Sequence, residues 1–143
     1  VTAIPIPWAE LAHRVREGSM RALSIRQPYP HHIFHDGKDV ENRDWWTSKR
    51  GWFLVHAGVS TVEDRDMIRE KALPLGGYVG VMLITGCVKA MNSPWFFGKF
   101  GLVISAAAPI DFVKGKGQLG FFAPPLEVLA ALEASLLKAG EPQ

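Results

Sequence analysis

The chain has 143 residues, 48% of them hydrophobic and 21% charged, the profile of one globular domain rather than a disordered or fibrous chain. No apolar run approaches the roughly 20 residues that a membrane-spanning helix needs. Sixteen Lys and Arg against 14 Asp and Glu leave a net charge of only +2, so any attraction for phosphate must come from local clustering.

In chain order, Trp8, Leu11, Ala12 and Val15 fall at helical spacing and Gly18 ends the pattern, which predicts a peripheral helix within an extension over residues 1–19. The stretch lacks a basic start followed by an apolar core, so it does not read as a secretory signal. From Ala22 to Arg26, Leu23 and Ile25 alternate with Ser24 and Arg26, the pattern of a half-buried strand. A short helix from Tyr29 to His35 is expected to stop at Gly37. Residues 39–43 are predicted as a strand with Glu41, Arg43 and Trp45 on one face and Val40 and Asn42 on the other.

"GWFLVHAG" predicts a third, strongly apolar strand, and Thr61 with Asp64 resembles a cap before an amphipathic helix ending near Leu73. "YVGVMLITGCV" is the longest apolar run and reads as a central strand. Beyond the "SPWFFG" loop, "GLVISAAAP", "IDFV" and "QLGFF" read as three further strands, and a helix is expected from Pro125 to Leu137. Several strands interrupted by few helices predict an α+β domain around a curled sheet of about five to six mixed strands. The single cysteine, Cys87, excludes an internal disulfide and a cysteine-based zinc cluster, and a reducing cytoplasmic setting is expected.

Three ordered motifs stand out: S-I-R-Q-P at Ser24 to Pro28, G-K-x-x-E-x-R at Gly37 to Arg43, and T-x-x-R-G at Thr47 to Gly51. With them, the sequence resembles the ASCH domain family of the PUA-like superfamily over residues 20–124, with 125–143 as a C-terminal helix and tail. The resemblance implies a small PUA-like β-barrel whose cleft, lined by the G-K-x-x-E-x-R segment, receives nucleic acid or a modified nucleobase. Some members of that family hydrolyse acylated cytidine nucleosides with a lysine, a threonine three residues later and a glutamate further on, the last without an identified counterpart here. Lys38 matches that lysine, but Glu41 stands at the threonine position.

The expected site follows from both readings. Lys38, Glu41, Arg43 and Trp45 line the cleft, with Arg26 and Lys49 or Arg50 at its mouth. Lys38 and Arg43 meet phosphate or a base edge while Glu41 accepts from an exocyclic amine. Trp45 is the candidate stacking surface rather than its neighbour Trp46, and Tyr29 is a second candidate. Gln27, in the same motif, joins the binding set, and Lys114 and Lys116 in "FVKGKGQ" form a basic loop facing phosphates.

Binding of RNA, single-stranded nucleic acid or a modified nucleoside is the expected function. Hydrolysis of an acylated nucleoside or RNA phosphodiester, with Lys38 and Glu41 as the central pair, is the enzymatic alternative, and a protein-interaction module is a third. No cofactor is called for. His31 and His35 lie one helical turn apart but lack an indicated third ligand, so no metal site is expected. "GKGQLG" satisfies G-x-G-x-x-G, yet a strand follows it rather than a helix, which excludes a dinucleotide site. His56, in an apolar strand, is expected to make a buried hydrogen bond, and Ser24 and Thr47 are hydroxyls without a partner base identifiable from sequence.

Overall fold

The structure, a computed structural model, describes residues 3–59 and 64–142. Six strands form one mixed sheet that curls into a half-barrel, with helices packed around it. In chain order these are helix α1 (Trp8–Arg16), strand β1 (Ala22–Ile25), helix α2 (Tyr29–His35), strands β2 (Val40–Arg43) and β3 (Gly51–Ala57), and helix α3 (Arg65–Glu70). Strands β4 (Gly77–Val88), β5 (Phe100–Lys114) and β6 (Phe121–Phe122) follow, then a 3-10 turn at Leu126–Val128 and helix α4 (Leu129–Ala139). The fold is thus the small α+β barrel-like domain that several strands interrupted by few helices predict.

Across the sheet the order is β2, β5, β4, β3, β1, β6, and only β1 and β3 run parallel. Curvature comes from the two longest strands. Their pairing shifts register at Tyr78/Gly80, Leu83/Ile84 and Ile84/Gly86, and such bulges bend a strand and sharpen its twist. "GLVISAAAP" and "IDFV" therefore belong to one strand and not two. Pro109, which has no N–H to give a ladder, sits opposite Gly80 beside the first shift, where the pairing is already broken. "QLGFF" contributes only the two-residue β6, and Thr61 lies outside the described residues.

Two apolar clusters hold the sheet. One gathers Leu23, Ile25, Val55, Met82, Ile84 and Leu102 with Ile33 of α2. The other gathers Ala22, Leu54, Tyr78 and Val81 with Leu11, Ala12 and Val15 of α1 and Leu132 and Leu136 of α4. The amphipathic pattern of α1 is spent on this second cluster, and an Arg16–Glu133 ion pair ties α1 to α4. Helix α2 approaches β4 so closely that a Cβ at Gly80 would lie 2.3 Å from the Phe34 ring.

Leu11 is fully buried between α1 and α4. Leu11→Ala is expected to lower unfolding free energy by about 2 to 5 kcal/mol, the usual cost of a cavity at such a site, measured by urea denaturation.

Candidate functional site

Strand β2 positions the site by simple alternation. Glu41 and Arg43 share one face; Arg43 Nε donates to Glu41 Oε2 at 3.1 Å, and Nη2 stands 3.0 Å from the same oxygen as an ion pair. On the opposite face, Asn42 donates from Nδ2 to the Trp95 carbonyl at 2.8 Å and accepts from the Phe97 N–H at 3.0 Å. Ser93 Oγ donates to Asp39 Oδ1 at 2.6 Å. These bonds fasten the 93–97 loop beside β2. The "SPWFFG" aromatics then divide, with Trp95 and Phe96 partly covered and Phe97 exposed.

The fastened Trp95 ring faces Lys38. The Lys38 ammonium lies 5.2 Å from the Tyr29 ring centroid and 5.7 Å from that of Trp95, an aromatic cage for a cation. Lys38 is only 3% exposed, so the two rings stand where water would otherwise surround the charge. Burial holds its ammonium below the usual 10.5, against the opposing pull of the Glu41 and Asp39 carboxylates. Burial likewise pushes the Glu41 carboxyl up, against the pull of Arg43 and Lys38. A buried acid and a buried base thus have their proton affinities moved towards each other, the arrangement that general acid–base chemistry uses.

Arg43 links this group to a second one. Its Nη2 also donates to the Ser24 carbonyl on β1 at 2.9 Å. Ser24 and Arg43 line a cleft of about 890 Å³ together with Arg26, His56, Lys114 and Lys116. No carboxylate lines it among the described residues, and exposed apolar side chains (Val59, Phe112 and Leu119) form part of its wall. Four cations and an apolar surface suit a ligand that carries both phosphate and a flat or greasy group.

The other residues expected at the site fall around this centre. Lys38, Glu41, Tyr29 and Trp45 are connected to the cleft through Arg43 and are not among its lining residues. Trp45 is half-buried on the Glu41 and Arg43 side. Its ring stands 5.6 Å from the Arg43 guanidinium and meets Phe121 edge-on at 5.9 Å, whereas Trp46 is 57% exposed. Lys49 lies over the Phe121 ring at 5.8 Å, and Arg50 bonds the Thr47 and Lys49 carbonyls; both are exposed and outside the cleft wall. Gln27 spends its side chain on the backbone, donating to the Pro74 carbonyl at 3.2 Å and accepting from the His31 N–H at 3.3 Å.

His56 is the site residue whose role sequence reasoning left smallest. It is 1% exposed, and its Nε2 donates to the Gly115 carbonyl at 2.7 Å. A carbonyl only accepts, so the proton sits on Nε2 and Nδ1 accepts from Ser24 Oγ at 3.0 Å. The expected buried hydrogen bond is present, and it is made twice. Among the described residues no group of three His, Cys, Asp or Glu side chains is placed to hold a metal ion, and no helix is long and apolar enough to cross a membrane.

Compared with known proteins, the chain matches no family model and no curated sequence. Its reading therefore rests on geometry.

Two outcomes follow. Arg43→Ala leaves the buried Glu41 carboxylate without its partner, and a loss of about 3 to 5 kcal/mol in urea unfolding is expected. Burial lowers the His56 pKa below the ordinary 6.5, opposed by the bond to Gly115, so between the folded value and 6.5 the unfolded chain binds more protons. The stability that His56 contributes is present above 6.5 and is lost as pH falls through its folded value. A His56→Asn variant, followed by urea unfolding across that range, should show a shallower acid-side decline; His31, also lowered by burial, remains in both proteins and cancels in the comparison.

Proposed function

We propose that this chain binds RNA, single-stranded nucleic acid or a modified nucleoside, with phosphate held by Arg26, Arg43, Lys114 and Lys116. The observation that carries the reading is the convergence of those four cations on one cleft that no carboxylate lines among the described residues. Arg and Lys contacts of this kind supply affinity for the backbone of a nucleic acid. Phe112, Leu119 and Val59 offer the apolar contact a base requires. On this reading the chain is an ASCH-domain protein of the PUA-like superfamily, a proposal supported by the ordered motifs from Ser24 to Gly51 and by the curled mixed sheet on which they sit.

A second reading, hydrolysis of a nucleoside amide or an RNA phosphodiester, is favoured by one specific observation. The proton affinities of Lys38 and Glu41 are displaced towards each other, as a paired acid and base require. Glu41 would then orient water and Lys38 would face the developing negative charge.

Binding is tested by fluorescence anisotropy with a short labelled single-stranded RNA at several salt concentrations. Affinity should fall steeply with salt, and the Lys114→Ala, Lys116→Ala double variant should weaken binding and flatten the log–log slope by roughly 0.7 for each phosphate no longer neutralised. No measurable affinity at low salt, or a double variant that binds as the wild type does, overturns the proposal.

A further inference from the structure

Ser24 and His56 are 32 residues apart in sequence and become direct neighbours because β1 and β3 run parallel in a register that places Ser24 opposite His56. Three features make their contact more than a cross-strand link. The Gly115 carbonyl fixes the imidazole with its proton on Nε2, leaving the Nδ1 lone pair for the serine hydroxyl. Ser24, whose hydroxyl donates to His56, is part of the wall of the cationic cleft. Two glycines crowd the pair: a Cβ at Gly117 would come within 2.7 Å of the His56 ring and 3.0 Å of Ser24 Oγ, and one at Gly58 within 3.2 Å of Ser24 Oγ.

Nucleophile bonded to base, and base oriented by a third group, is the arrangement by which a serine is activated. Here a backbone carbonyl is the orienting group. We infer that Ser24 is a nucleophile with His56 as its general base, serving acyl transfer from an ester or amide on a phosphate-bearing molecule. The substrate class rests on the cleft's reading as a phosphate site; the nucleophile itself does not.

The step balances within the residues present plus water. Ser24 Oγ bonds to the acyl carbon, its proton passes to His56 Nδ1, and the carbonyl electron pair moves to oxygen. Collapse expels the alcohol or amine, which takes the proton back from Nδ1. Water then attacks the acyl-serine and gives a proton to His56 Nδ1; as the bond from the acyl carbon to Ser24 Oγ breaks, Oγ takes that proton back and the carboxylic acid leaves. The groups facing His56 leave it suited to this cycle: apart from Ser24 and Gly115, the Tyr78 and Phe122 rings meet it edge-on at 5.2 and 5.8 Å. Tyr78, whose phenol is pushed up to about 12 by burial, stays uncharged throughout the neutral range. The charged side chains sharing its cleft are the cations Arg26, Arg43, Lys114 and Lys116.

The test uses an uncharged alkyl fluorophosphonate, which forms a bond from phosphorus to an activated serine oxygen and releases fluoride. Intact-mass and peptide mapping should place one adduct on Ser24. Ser24→Ala should abolish it. His56→Asn, checked for folding by circular dichroism, should slow it by about 100-fold, the scale of a lost general base. Gly117→Ala, which keeps both reacting residues but sets a methyl against them, should also slow labelling by disturbing their contact. Labelling of the wild type should rise with pH as His56 loses its proton, with its midpoint below 6.5. A wild type that gains no adduct at Ser24 while Ser24→Ala merely lowers the melting temperature marks the pair as a structural link and overturns the proposal. An adduct on a protein that shows no affinity for RNA keeps the nucleophile and removes the nucleic-acid reading; RNA affinity without an adduct does the reverse.

Discussion

One guanidinium joins what the backbone leaves apart. The curled sheet ends in β2 on one side and in the short β6 beside β1 on the other, and Arg43 of β2 reaches across to the Ser24 carbonyl of β1. β6 pairs only with Ala22 and Leu23, so the carbonyl one residue further along β1 is taken by a side chain and not by a strand. The same planar group turns its Nε and Nη2 on Glu41, which makes the burial of that carboxylate tolerable. A lysine carries the same charge as a point on a flexible stem and has no fork with which to hold both partners.

From that junction the polar interior can be followed in both directions. One arm runs through Glu41 towards the caged ammonium of Lys38. The other runs through Ser24 to His56 and ends on the Gly115 carbonyl, at the start of the loop that carries Lys116. Burial raises one acid and lowers two bases along this path, each against the pull of the partner that holds it. A connected set of this kind is costly wherever a member lacks its partner.

Much of this was legible in the sequence where it depends on neighbours along the chain. The pairing of Glu41 with Arg43 follows from two-residue alternation, and α2 and its end at Gly37, which has a positive φ of 72°, follow from local patterning. Contacts that depend on strand order were not legible. Nothing local places Ser24 against His56, or brings Lys114 and Lys116 to Arg26, because those meetings need the parallel register of β1 with β3 and the full length of β5. Asn42 shows the intermediate case: its face is readable, but its hold on the Trp95 loop appears only once β2 lies beside β5. Pro109 misleads for a related reason, since the bulge beside it in its own strand, β5, excuses the missing N–H.

The close seating of Phe34 on Gly80 reaches further than packing. Phe34 lies on the same short helix that begins with Tyr29, and Tyr29 forms one wall of the cage around Lys38. A side chain at position 80 would crowd both the Phe34 ring and the Ala108 carbonyl, and relief on the Phe34 side would disturb the helix that carries Tyr29. The surroundings of the buried ammonium can therefore be retuned from a strand position that touches neither the lysine nor its cage, and variation at this remote glycine is a route by which the domain's preferences could drift while every polar group stays the same.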